Sequence, residues 1–135
     1  MKRTIGVVPV VIFLLAFLSA GPALAALPLI AGTDAAEQIR GTNRAEEIRG
    51  LGGADEIVDR LGADVVYGGK GKDNLIGYGG DTSSDRFYGG GGDDLFQPED
   101  VPAVKDVVIC GSGTDTVYAD KADAIAGDCE RVHVR

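Results

Sequence analysis

Along residues 32–97 an apolar side chain returns every ninth residue, with one spacing stretched to twelve: Ile39, Ile48, Ile57, Val66, Leu75, Phe87 and Phe96. Two places before each stands an acid: Glu37, Glu46, Asp55, Asp64, Asp73, Asp85 and Asp94. Apolar residues make up only 44% of the chain, so one at every in-phase position is a pattern and not a consequence of composition. The register continues after a second insertion at residues 98–100, with Asp106 and Val108, then Asp115 and Val117. A slipped, shorter unit follows with Asp123 and Ile125, and residues 127–135 are expected to cap the end with Val132 and Val134 packed inward.

Each unit has a glycine-rich half and a short apolar-centred half. Asn74-Leu75-Ile76 and Thr116-Val117-Tyr118 suit very short strands whose middle side chain faces inward. The other half must turn the chain sharply. Glycine recurs at the first and fourth positions of the units, where it is expected to supply positive φ. Two units then make one turn of a flattened right-handed coil, with strands stacked in parallel about 4.8 Å apart into two facing sheets. A single rung cannot bury its own apolar residue, so the units must stack, and the chain has length for roughly five rungs.

Composition sharpens this picture. Glycine accounts for 21 of 135 residues, which argues against long helices because each costs roughly 1 kcal/mol there relative to alanine. The net charge of -8 argues against nucleic acid or an anionic membrane as partner and favours cations. The first 25 residues read as an export leader: Lys2 and Arg3 open it, Ile5 to Leu18 is apolar, and Ala23-Leu24-Ala25 ends it with residues that suit a signal peptidase. A retained membrane anchor is the alternative, but the apolar stretch is shorter than the roughly 20 residues needed to span a bilayer. The expected organisation is a signal peptide over 1–25, a short segment over 26–31, the repeat over 32–109, and the last rungs with a cap over 110–135. No span remains after processing, and the processed chain carries 11 basic against 21 acidic residues. Its two cysteines, Cys110 and Cys129, read as one disulfide in an exported chain, two buried free thiols being the alternative.

GGKGKDNLI (Gly68 to Ile76) and GGGGDDLFQ (Gly89 to Gln97) match the nonapeptide GGxGxDxUx, in which U is a large apolar residue. The chain therefore resembles the RTX, or haemolysin-type calcium-binding, repeat proteins, over about residues 32 to 118. The resemblance implies an all-β fold, the parallel β-roll, here with a disulfide-linked C-terminal cap. It also implies several bound Ca2+ ions, each between turns stacked on one edge and held by acidic side chains and main-chain carbonyls. Such a set suits calcium, which takes six to eight oxygens in flexible geometry. Metal uptake is then coupled to folding.

Alternate units share an edge, and both insertions fall on the same one. The uninterrupted edge is the expected main ladder, with sites between Asp55 and Asp73, Asp73 and Asp94, and Asp94 and Asp115. Gly50, Gly52, Gly68, Lys70, Gly89 and Gly91 are its expected carbonyl donors. On the other edge Asp64 and Asp85 are candidates for one further ion. Glu37 and Glu46 are longer and their turns lack the fourth-position glycine, which makes the first two units a weak or metal-free cap.

Catalysis finds no support. His133 is the only histidine, and no GxSxG, HExxH or P-loop pattern occurs. The alternative to a calcium module is adhesion or self-association through Val65, Tyr67, Tyr88, Val107 and Ile109, which fall outward on one face; Leu27 to Ile30 folding over that stripe would cover it instead. The leader implies secretion by the general route, whereas many RTX proteins use a dedicated exporter that reads a C-terminal signal.

Overall fold

A computed structural model describes residues 25–98 and 102–135. The expected leader, apart from Ala25, and part of the second insertion lie outside the described residues. Among them the chain forms strands and no helix. One parallel sheet contains β1 (Leu29–Ala31), β3 (Glu47–Gly52), β5 (Val65–Lys70), β7 (Arg86–Gly91), β9 (Val107–Ser112) and β11 (Ala124–Ile125), neighbours in that order. The other contains β2 (Gln38–Arg40), β4 (Glu56–Val58), β6 (Asn74–Ile76), β8 (Leu95–Gln97), β10 (Thr116–Ala119) and β12 (Arg131–Val134). Successive units enter opposite sheets, so two nonapeptides make one turn of a parallel β-solenoid. Six strands per sheet give about six turns, one more than the repeat count suggested, because β1 and β12 add rungs outside the clear units.

The apolar column forms the core. Ile48, Val66, Phe87 and Val108 from one sheet join Ile57, Leu75, Phe96 and Val117 from the other, each at most 1% exposed. Each such side chain contributes roughly 1.5–3 kcal/mol over its exposed state. The insertions leave the ladder in register: Val66 pairs with Phe87 and Phe87 with Val108, across 21 residues instead of 18.

The turns correct the expected role of glycine. Positive φ falls at the second and fourth positions, in Gly69, Gly90 and Gly111 and in Gly53, Gly71, Gly92 and Gly113. Leu51 and Arg60 occupy second positions with φ of 75° and 79°. First-position glycines have ordinary φ and serve closeness instead. A Cβ on Gly68 would stand 2.6 Å from Asp73 Oδ2 and 2.8 Å from the carbonyl oxygen of Gly89 in the next rung.

Both ends depart from expectation. Leu29–Ala31 does not fold over the outer face but joins the sheet edge as β1, with Ile30 paired to Ile48. Val132 takes register with Val117 as the repeat demands, yet Val132 and Val134 are 41% and 55% exposed because β12 is the outermost strand of its sheet among the described residues. Cys110 and Cys129 form a disulfide, Cα to Cα 5.3 Å, tying the last turns together.

The outer apolar stripe is shorter than the residue types suggested. Arg86 stands between Val65 and Val107 in the ladder. Tyr67 and Tyr88 stack on each other at 4.8 Å, with the Arg49 guanidinium over Tyr67. The opposite face carries apolar groups too, since Val58 and Ile76 are outward ladder partners there.

Candidate metal centre

The sixth-position acid of each unit stands just before its strand, and its carboxylate reaches the preceding rung on the same edge. On the uninterrupted edge the N–H of Glu37 donates to Asp55 Oδ1 at 2.8 Å, that of Asp55 to Asp73 at 2.9 Å, that of Asp73 to Asp94 at 2.8 Å and that of Asp94 to Asp115 at 2.8 Å. The interrupted edge is equally regular. There Glu46 N–H donates to Asp64 Oδ1 at 2.7 Å, Asp64 to Asp85 at 2.8 Å, Asp85 to Asp106 at 2.8 Å and Asp106 to Asp123 at 3.0 Å. The structure therefore brings the expected acids together in two columns, and the insertions disturb neither. Asp106 and Asp123 complete the second column although only the register pointed to them.

One oxygen of each carboxylate is thus engaged. The other, Oδ2, is buried without a partner in Asp55, Asp64, Asp73, Asp94 and Asp115. A buried carboxylate oxygen with no donor is costly, and a column of them more so. Beside three of the orphans on the uninterrupted edge, those of Asp55, Asp73 and Asp94, lies a first-position glycine of the same unit and the carbonyl of the next rung's first residue: Gly50 with Gly68, Gly68 with Gly89, and Gly89 with Cys110. Carboxylate and carbonyl oxygens converge where a side chain would otherwise stand. This donor set, all oxygen and hard, fits calcium. Of the expected donors, the Gly68 and Gly89 carbonyls stand beside such an orphan and Cys110 supplies the third carbonyl, whereas the Gly50 carbonyl lies beside Gly32, near Glu37 Oε2. Gly52, Lys70 and Gly91 are instead successive ladder partners, and the Gly91 carbonyl already accepts from Gly71 N–H at 2.8 Å.

Electrostatics agrees with an excess of uncompensated negative charge. Burial raises the Asp55, Asp73, Asp115 and Asp123 carboxyls above their ordinary value of 3.8. Asp94 rises to about 6, through burial first and then the charges of Asp73, Asp115 and Asp93. Asp64 rises to about 7, through burial and then Glu46 and Asp81.

The capping units behave differently. Glu37 Oε2 accepts from Thr33 N–H at 2.7 Å and Glu46 Oε2 from Thr42 N–H at 2.7 Å, so the longer side chains fold back onto their own turns. At the other end Glu130 receives the Asp115 N–H at 2.8 Å, and Asp128 receives that of Gly111 at 2.9 Å.

One residue escaped the sequence reading. Asp59 occupies a first position, where six of the seven clear units carry glycine. It is fully buried, its Oδ1 accepts from Tyr78 N–H at 3.0 Å, and its Oδ2 has no partner. Burial and then the charges of Asp85 and Asp64 push its carboxyl up to about 9. The available signal was the break in the glycine column.

The RTX calcium-binding nonapeptide repeat matches in four copies, over residues 40–75, 49–83 and 80–97. Neither a curated protein nor a solved structure matches the chain. The matched segments include β3 through β8, the part of the solenoid where acid, glycine and apolar columns are most regular. Residues 40–97 of this chain are thus RTX calcium-binding nonapeptide repeats.

Proposed function

We propose that this protein is an exported, non-catalytic calcium-binding β-roll that takes up several ions between its rungs and completes its folding as it does so. The observation that carries the reading is the series of buried Oδ2 atoms without donors, in Asp55, Asp73, Asp94 and Asp115, with first-position carbonyls of the next rung converging beside the first three. These acids, with the carbonyls of Gly68, Gly89 and Cys110, would hold the ions on the uninterrupted edge; Asp64 and Asp85 would serve on the other. Bound calcium supplies positive charge to carboxylates that otherwise repel one another across about one strand spacing. The residues themselves do the positioning: each Oδ1 is fixed by a main-chain N–H, which turns Oδ2 toward the glycine gap.

Export agrees with this chemistry, because the leader read over residues 1–25 would deliver the chain to where free calcium is plentiful. The repeat family is structural, which accords with the lack of a catalytic pattern. Far-ultraviolet circular dichroism of residues 26–135 during calcium addition tests the proposal. A cooperative gain of strand signal that EGTA reverses is expected. An unchanged spectrum, with no calcium uptake in calorimetry, would overturn it.

A further inference from the structure

The departure at Asp59 places a third carboxylate where the repeat provides none. First-position side chains point along the solenoid axis into the next rung: a Cβ on Gly68 would meet the carbonyl of Gly89, and Cys110, also at a first position, reaches Cys129. Asp59 follows the same direction. Its side chain enters the space between Asp64 of its own unit and Asp85 of the next rung on that edge.

Carboxylate oxygens of Asp59, Asp64 and Asp85 lie within 4.8 Å of one another, and all three residues are buried. Oxygens bound to one calcium at 2.3–2.6 Å lie no farther apart than about 5 Å, so this set is close enough to share a single ion. Asp59 and Asp64, both fully buried, each keep an Oδ2 with no donor. The charges acting on Asp59 are those of Asp85 and Asp64, acids like itself.

We infer that Asp59, Asp64 and Asp85 form a three-carboxylate site for a hard divalent cation, calcium in the exported protein, distinct in composition from the two-acid, carbonyl-rich sites of the repeat. The identity of the ion rests on the calcium reading above; the site itself rests on the buried oxygens. Three formal negative charges give this site a stronger field than its neighbours, so it fills first. It also joins the fourth and sixth of the seven clear units, inside the repeat, from which ordering can spread in both directions.

Two variants test it. Asp59→Gly restores the glycine of the other units, and Asp59→Asn keeps an oxygen for Tyr78 N–H while removing the charge. Calcium titration calorimetry and equilibrium dialysis of residues 26–135 are expected to show the tightest class of sites lost or weakened at least tenfold in both variants, with the remaining sites retained and the loaded strand spectrum unchanged. If the wild-type protein takes up calcium and both variants match it in number and affinity, the three-carboxylate site is overturned while the repeat reading stands. If the wild-type protein takes up no calcium, both fall.

Discussion

Asp73 and Asp94 are joined by a hydrogen bond of 2.8 Å from the Asp73 N–H to Asp94 Oδ1, across one turn of the solenoid. The bond does two things. It ties rungs at the glycine-rich edge, where strand pairing thins out, and it commits one carboxylate oxygen so that the other stays free and buried. A structural bond and a ligand position are therefore served by different atoms of one side chain.

Those two roles are separable by Asp73→Asn. The amide oxygen can keep the bond from Asp55 N–H, while the amide nitrogen replaces the orphaned Oδ2. In chelator the variant is expected to be within about 1 kcal/mol of wild type by urea unfolding. In calcium it should lose affinity at the sites it shares with Asp55 and Asp94, which calorimetry would register as fewer or weaker ions.

Gly68→Ala should damage both. The new Cβ would stand 2.6 Å from Asp73 Oδ2 and 2.8 Å from the Gly89 carbonyl, and the latter is main chain that cannot step aside. A loss of about 2–3 kcal/mol is expected, in the range for overpacking, together with weaker calcium binding. Wild-type stability in this variant would show that the first position tolerates a side chain.

Leu51 and Arg60 hold left-handed backbone without being glycine, a conformation that costs roughly 1–2 kcal/mol each. Leu51→Gly and Arg60→Gly should each raise the unfolding free energy by about 1 kcal/mol after the added freedom of the unfolded chain is counted. Urea midpoints that fall for both would mean that those side chains hold more than their turns lose.

Stability without metal should fall as pH rises. Burial raises Asp94 to about 6, Asp64 to about 7 and Asp59 to about 9 from 3.8, so the folded chain binds more protons than the unfolded one between those values. The unfolding free energy then decreases with pH from about pH 4 upward. In chelator the thermal midpoint is expected to be higher at pH 5 than at pH 8. Saturating calcium should reverse that order, because the ion needs the deprotonated acids. A midpoint in chelator that rises between pH 5 and 8 would contradict the buried, unpaired state of these carboxyls.

The nine-residue period made most of the fold legible. Apolar positions from Ile39 to Phe96 predict the core, and the acids two places earlier predict both columns. The parity of the units assigns each to its sheet. Even the slipped unit obeys, since Asp123 accepts from Asp106 N–H and Ile125 pairs with Val108. The cysteine count pointed to the bond between Cys110 and Cys129. Less legible was the division of labour among glycines. Sequence shows where glycine recurs but not whether a position needs positive φ, as Gly69 does, or an absent Cβ, as Gly68 does.

What the sequence determined by itself is everything that repeats within a rung: which residue faces inward, where the acid stands, where the chain must turn. Those features depend on local backbone geometry and on burying an apolar side chain, and both are written in the spacing. Tertiary structure alone decided what meets across rungs. Asp59 reaches Asp85 because its side chain points along the axis and because the inserted residues of that turn leave the ladder in register across 21 positions. Val132 stays exposed although it occupies the inward position, since β12 is the outermost strand of its sheet among the described residues. Contacts between rungs are set by the stacking offset and by what lies beyond, which no single unit encodes.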